Sequence, residues 1–261
     1  MAQSIAKVIR KLPINSFKLH LHKLVNAIVV KGLRSTDLAT REKARKALLR
    51  VIGEVSPRFL ELIINQMHDN LTRGYQLHVY LYTVHYILNH LTGQNASSAS
   101  PDDKIANTLE PGMITSSMIT TTSELLLREL FGDLMEERML DETKKKHIKE
   151  SKARKAYPIF EVFTQFIDFT DSFLDLIAPV IKILEENPNF TRIQQCEDLL
   201  GKISSSLLKN PTLTGEQLLI FIYSIIERGI GMSLKTKIND EKIERDYGAK
   251  ADEEFVPKTK E

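Results

Sequence analysis

Seven histidines and seven tyrosines supply this chain with the imidazoles and phenols from which metal sites and acid–base pairs are built. They are densest in LTRGYQLHVYLYTVHYIL, residues 71–88, which holds four tyrosines with His78 and His85, and His90 lies just beyond. The spacing argues against a metal. His78 and His85 are seven residues apart, two turns or about 10.5 Å along a helix, too far to share an ion. His20 and His22 project to opposing sides of a helix, and His68 beside Asp69 has no further ligands at helical spacing. No metal centre and no cofactor are expected. The rings are expected to lie between helices, hydrogen-bonded to backbone and side chains of their neighbours.

Nucleophilic chemistry finds no better footing. The sequence has no G-x-S-x-G elbow, no glycine-rich phosphate loop, no G-x-x-x-x-G-K-[ST] and no recognisable His/Cys pair. Its single cysteine, Cys196, rules out a disulfide framework and a cysteine-based zinc site, and reads as a small core residue. The acidic pairs Glu136 and Glu137, Asp171 and Asp175, and Glu185 and Glu186 lie on amphipathic stretches, where a solvated face explains them. An enzyme is therefore not expected, nor a small-molecule substrate.

The cations are more informative. A formal net charge of +2 hides an asymmetry: residues 1–50 carry twelve Lys/Arg against two Asp/Glu, or +10, and the rest of the chain carries −8. Such an end attracts a polyanion such as RNA, and an acidic protein surface almost as well. Lys43, Lys46 and Arg50 form a stripe at i, i+3 and i+7, away from the apolar face of Ala44, Leu48, Val51 and Val55. LDETKKKHIKESKARKAYP carries Lys144, Lys145, Lys146, Lys149, Lys152, Arg154 and Lys155. No apolar stripe crosses that segment, so its cations are expected to be exposed. They are candidates for contact with a nucleic-acid backbone or a partner, for a nuclear-import signal, or for a solubilising face. No aromatics alternate with the lysines along the sequence, so base readout is not suggested.

The elements that must position these residues are helical, for periodicity near 3.6 dominates throughout. One helix begins near Asp37. Ser56 and Pro57 then cap and open a second that runs to about Asn70, and the short connection predicts an antiparallel hairpin. Further helices are expected at about 14–31, 75–92, 113–137, 157–169, 171–187, 190–209 and 215–229, the last opened by the capping box TGEQ at 214–217. In the 75–92 helix, Leu77, Leu81, Val84, Leu88 and Leu91 share one side while Tyr75, Val79, Tyr82 and Tyr86 share the other. Such a helix is expected to be covered on most of its circumference. The fold class expected is all α: the succession of helices fits a bundle or a stacked solenoid, and the covered helix favours a HEAT- or armadillo-like α-solenoid of antiparallel helix pairs in a right-handed superhelical stack. One domain is expected over 1–234 with a flexible loop at 93–112, followed by a polar, disordered tail at 235–261. No stretch has the roughly 18 to 20 apolar residues of a membrane span, and the N-terminus lacks a signal-peptide pattern, so a soluble intracellular protein without a membrane partner is expected.

Three stretches taken in order carry a resemblance. LTRGYQLHVYLYTVHYIL, LLLRELFGDLMEERMLDETKKKHIKESKARKAYPIFEVFTQFI and LLKNPTLTGEQLLIFIYSIIERG resemble the later part of the down-regulated-in-metastasis family, the giant HEAT-repeat proteins associated with U3 small nucleolar RNA. The R-G-Y-Q-x-H-V-x-x-x-T-V-H pattern is the most specific, with Arg73, Gly74, Tyr75, Gln76, His78, Thr83 and His85 as its signature residues. The resemblance covers roughly residues 30–230 of a chain much shorter than family members. It implies a non-enzymatic scaffold of the small-subunit processome in the nucleolus of the nucleus. Its partners would be pre-ribosomal RNA and processome proteins, and its role the processing of pre-18S ribosomal RNA. The alternative is a HEAT-type protein–protein adaptor that does not bind RNA.

Overall fold

The computed structural model describes residues 1–93, 108–132, 134, 149–151, 154–186 and 189–227. Residues 94–107 of the expected loop, the acids Glu136 and Glu137, Lys144, Lys145, Lys146 and Lys152, and the tail 235–261 lie outside the described residues, as does the side chain of Lys149.

The described chain divides into two units, Met1–Thr212 and Leu213–Glu261. The first contains nine α-helices among its described residues: α1 (Ala2–Ile9), α2 (Ile14–Ile28), α3 (Leu38–Val55), α4 (Leu60–Asn70), α5 (Tyr75–Leu91), α6 (Ser116–Phe131), α7 (Ala156–Phe166), α8 (Phe169–Glu186) and α9 (Phe190–Leu207). Their starts follow side-chain chemistry. Asp37 Oδ2 accepts from Thr40 N at 2.8 Å and from Thr40 Oγ1 at 2.6 Å, fixing the first turn of α3. Thr115 and Asn189 do the same for α6 and α9, accepting from Met118 N at 3.3 Å and from Arg192 N at 2.8 Å.

The packing follows a rule. Each odd-numbered helix lies against the next, α1 on α3, α3 on α5, α5 on α7 and α7 on α9. The even helices do likewise, α2 on α4, α4 on α6 and α6 on α8. Two helical layers result, with successive helices alternating between them, the order produced when helix hairpins stack side by side. The layers share an apolar interior that includes Leu21, Leu48, Ile63, Val84, Leu126, Phe160, Leu176 and Leu199, all buried. The all-α reading of the sequence agrees with these elements.

The α5 helix occupies the middle of the odd layer, touching α3 and α7 beside it and α4 and α6 across the interior. Ten of its 17 residues are buried. Its start is set by Gly74, whose φ of +51° is the left-handed conformation that glycine adopts without a Cβ penalty. Between α2 and α3 the chain passes through a π-turn at Val29–Leu33, where a methyl group on Gly32 would stand 2.5 Å from Ala44 Cβ. That close approach lets the turn lie directly on α3.

Differences from the sequence reading are local. Ala2–Ile9 is a helix that the sequence reading did not include; it buries Ala6 and Ile9 and packs on α3. Ser56 and Pro57 end α3 and open the next element as expected, but that element begins as a 3-10 turn, Pro57–Phe59, before α4. The helix expected at 113–137 begins at Ser116, since Met113–Thr115 form the approach to its cap and Ile114 bridges in parallel to Ile167.

In the second unit, residues 215–227 are helical. The expected capping box is present: Gln217 N donates to Thr214 Oγ1 at 3.3 Å, and Thr214 N donates to Gln217 Oε1 at 3.0 Å.

Candidate nucleic-acid interface

The histidine- and tyrosine-rich helix resolves into two sides with different tasks. Facing the interior, His78, Tyr80 and Thr83 are buried. The Tyr80 hydroxyl pairs with Thr122 Oγ1 at 3.2 Å, and burial raises its pKa. Thr83 Oγ1 donates to Val79 O at 2.7 Å, within its own helix. His85 is half-buried, and desolvation, aided by nearby Lys155, pushes its pKa down to about 4. The ring is therefore neutral at physiological pH, and its Nε2 accepts from Asn89 Nδ2 at 3.0 Å. Among the described residues no group of three or more His, Cys, Asp or Glu side chains is arranged to hold a metal.

The signature residues of the motif are accordingly structural in large part. Gly74 makes the turn, and the Tyr75 hydroxyl donates to Arg34 O at 2.7 Å, tying the start of α5 to the end of the π-turn. Gln76 is half-buried, and Arg73 is exposed.

The other side of α5 carries the charge. Arg41 and Arg45, one turn apart on α3, both reach Glu150. Arg41 grips the carboxylate with two parallel bonds, Nε to Oε1 at 2.8 Å and Nη2 to Oε2 at 2.9 Å, while Arg45 Nη1 donates to Oε1 at 2.9 Å. Arg41 Nη1 also donates to Ser35 O at 3.0 Å and Thr36 O at 2.9 Å, so its guanidinium is bonded through all three nitrogens. All three side chains are at most 5% exposed. Burial alone would raise the Glu150 pKa, but the hydrogen bonds from Arg41 and Arg45 outweigh it and hold the carboxyl below its ordinary value.

The expectation that the cations of this segment are exposed is not met by the two whose side chains are described, Arg154 and Lys155. Glu150 and Ser151 are buried, in a 3-10 turn Lys149–Ser151 packed on α5. Arg154 and Lys155 are half-buried. Glu129 of α6 accepts from Lys155 N at 2.8 Å and Ala156 N at 2.6 Å, satisfying amides that the first turn of α7 leaves open. The described end of the segment is thus held at both Glu150 and Ala156. Periodicity could not show this, because the anchoring groups are charged and their partners lie far away in sequence.

The aromatic rings join the two basic regions. Arg45 Cζ lies 4.7 Å from the centroid of the Tyr82 ring, and Lys155 Nζ lies 5.3 Å from it. Arg41 stands over Tyr75 at 5.8 Å. Desolvation lowers the Lys155 pKa, with Glu129 opposing the shift. A groove of about 220 Å³ runs between α3 and α5, lined by Glu42, Arg45, Lys46, Tyr82 and Tyr86. Lys43 and Lys46 are exposed along α3, and Arg50 is half-buried. Of the cations named from sequence, Lys46 on α3 and Lys155 just before α7 are thus brought to Tyr82 on α5. The aromatics absent between the lysines in sequence are supplied by α5.

A second groove, of about 780 Å³, lies between α7 and α9 and has mixed charge. Arg154, Lys202 and Lys209 line it together with Glu161, Glu197 and Asp198. There Lys202 Nζ stands 5.6 Å from the Tyr157 ring and 3.1 Å from Glu161 Oε1.

With this geometry in place, comparison with known proteins shows that residues 1–226 match the family described as the U3 small nucleolar RNA-associated protein 20 domain. The chain belongs to this family. Over 228 residues, 87% of this chain, it is 29% identical to U3 small nucleolar RNA-associated protein 20 of Schizosaccharomyces pombe. Over 220 residues, 84% of this chain, it is 27% identical to the protein of the same name in Saccharomyces cerevisiae. The chain spans 8% of the length of each of these relatives. The family resemblance read from the three quoted stretches is therefore correct, and the matched region contains every described helix of the first unit.

Proposed function

We propose that this chain acts as a non-enzymatic helical scaffold of ribosome biogenesis, within the small-subunit processome and its U3 small nucleolar ribonucleoprotein. The observation that carries this reading is the family match over residues 1–226, with relatives whose names state association with U3 small nucleolar RNA. On this reading the protein works in the nucleolus and contributes to processing of pre-18S ribosomal RNA. On this reading its helices form HEAT- or armadillo-type repeats in a right-handed superhelix, whose broad surface serves binding rather than catalysis. The partners are pre-ribosomal RNA and processome proteins. Lys43, Lys46, Arg50, Arg154 and Lys155 are the described cations assigned to contact, joined by Lys144, Lys145, Lys146, Lys149 and Lys152.

A protein–protein adaptor is the second reading, favoured by one feature. On α8, at the start of α9 and just past its end, the large apolar side chains Leu174, Phe190 and Leu208 face solvent, as interfaces with other proteins do. Salt separates the two readings. Contact through phosphates weakens with salt at a log–log slope of about 0.7 to 0.9 per phosphate neutralised, and contact through apolar side chains does not.

The test is to purify the tagged protein gently from its native cells and sequence the RNA that accompanies it. Enrichment of U3 and pre-ribosomal spacer RNA is the expected result. Recovery of proteins without those RNAs would overturn the processome reading in favour of the adaptor.

A further inference from the structure

We propose that the groove between α7 and α9 receives α9 of a second copy of this chain, the two α9 helices running antiparallel about a two-fold axis level with Ile203 and Ser204. This pairing stands apart from the processome reading and needs no RNA.

Three features of α9 find no use within one chain. Gly201 stands inside the helix, where glycine is less stable than alanine, yet it is exposed and a methyl group added there would meet nothing within 4 Å. Among the described residues, no contact requires a bare backbone at that point. Ser206 lines the groove and is only 4% exposed, but its hydroxyl has no hydrogen-bond partner among the described residues. Its neighbours differ, since Ser204 and Ser205 donate to Leu200 O at 2.8 Å and Gly201 O at 2.9 Å. Asp198 and Lys209 line the same groove, and neither side chain has an ion pair or hydrogen bond among the described residues. Lys202 and Glu161, by contrast, are spent on each other at 3.1 Å.

The open charges specify the occupant. Asp198 and Lys209 are eleven residues apart, three turns or about 16.5 Å, so they share one side of α9, with Gly201 and Ser205 between them. A fitting helix brings a base to Asp198 and an acid to Lys209, and is thin midway. An antiparallel α9 has this pattern: Lys209 of each copy meets Asp198 of the other, with Glu197 beside it, as a two-fold contact requires. The same register sets Ser206 against Gly201 of the second copy, one turn from its Ser205. Both serines lean towards the N-termini of their own helices, hence towards each other, and the unpartnered hydroxyl gains an acceptor. Lys202 touches Glu161 while Asn210 donates to Thr164 O and Ile167 O, so α7 and α9 run in the same direction. Arg154, just before α7, therefore lies near the C-terminal end of the incoming helix, where a cation is favoured. A phosphodiester chain is repelled by Glu161, Glu197 and Asp198, and a peptide of one charge sign leaves half the groove unanswered.

The experiment is sedimentation equilibrium on the full chain, which is expected to form a dimer. Asp198→Lys and Lys209→Glu each set like charges opposite each other twice, and each should weaken association by about tenfold or more. Mixed in equal amounts, these two variants should regain the native affinity, because each then offers the other an opposite charge at both contacts. Gly201→Leu should weaken the dimer while the melting temperature at low protein concentration does not fall. Melting curves identify any variant that fails to fold, and the mass of the native chain tests the pairing without a variant. A native chain that remains monomeric, or a dimer indifferent to both charge reversals, would overturn the pairing. If the native chain is monomeric and Lys209→Glu loses a protein that accompanies it from cells, the groove belongs to a helix of that protein and the pairing is equally overturned.

Discussion

The two grooves of the odd layer contain the same parts in different surroundings. Beside α5, Arg45 and Lys155 approach Tyr82, and the paired carboxylate Glu150 is buried. Beside α7, Lys202 approaches Tyr157, and its carboxylate Glu161 is 35% exposed. Water decides what each arrangement contributes. In the first, charges removed from solvent interact strongly and can be broken only at high cost; in the second, solvent screens the pair and the side chains give up freedom for little return. The composition of a charged–aromatic cluster therefore says less about its role than its depth.

The sharpest way to break this comparison is to remove the two carboxylates in turn. Glu150→Ala strands two buried guanidinium groups and should destabilise the protein by about 3 to 5 kcal/mol in chemical denaturation. Glu161→Ala serves as the matched control, and equal losses from the two would abolish the distinction.

Acid should dissect the first cluster further. In the unfolded chain His85 titrates near 6.5, but in the folded chain burial and Lys155 hold it at about 4. The unfolded state takes up this proton first, so His85 costs nothing above pH 6.5 and progressively destabilises the fold as pH falls towards 4, by roughly 2 kcal/mol after allowing for partial solvent access. Glu150 behaves differently. Its folded pKa is depressed below 4.5, so its contribution is intact above that pH and is lost only as pH falls below it. Unfolding followed against pH should therefore show a first decline that His85→Gln removes and a second, at lower pH, that Glu150→Gln removes. A native-like first decline in His85→Gln would mean that another group carries it.

A subtler contrast lies in the rings. Tyr82→Ala should cost about 1 to 3 kcal/mol, through lost packing and loss of its two cationic contacts, and Tyr157→Ala less. Thermal melting of the two single variants ranks them. Smallest of all, Lys202→Ala should change stability by no more than about 0.5 kcal/mol, an effect that 1 M salt should erase. A larger loss, or one insensitive to salt, would mean that Lys202 and Glu161 are coupled more tightly than their exposure implies.

Sequence made the helices legible where an apolar face or a cap announced them. Ala44, Leu48 and Val51 are buried along α3 as their spacing required, and Thr214 with Gln217 forms the capping box that TGEQ spells. The family signature was legible too, though Gly74, Tyr75 and Thr83 in it prove to shape and hold a helix. The charged cluster was not. Arg41 and Arg45 interrupt the hydrophobic pattern of α3 and so read as surface, and Glu150 sits in a segment whose surrounding lysines suggest the same. Burial of a charge depends on a partner, and a partner 109 residues away leaves no periodic trace. The same reason hid the aromatic groove, whose cations and rings belong to different elements.

The clamp on Glu150 also bears on how the chain folds. Layers in which each helix meets mainly its near neighbours in sequence form through local contacts, a topology that folds quickly and can fray one pair at a time. The bond from Arg41 to Glu150 closes a loop across 109 residues and joins α3 to the turn packed on α5. It raises the entropic cost of completing the fold, so it belongs late in the folding order. Once made, it obliges the helices it spans to open together, turning the centre of this layered protein into one cooperative unit between more independent ends.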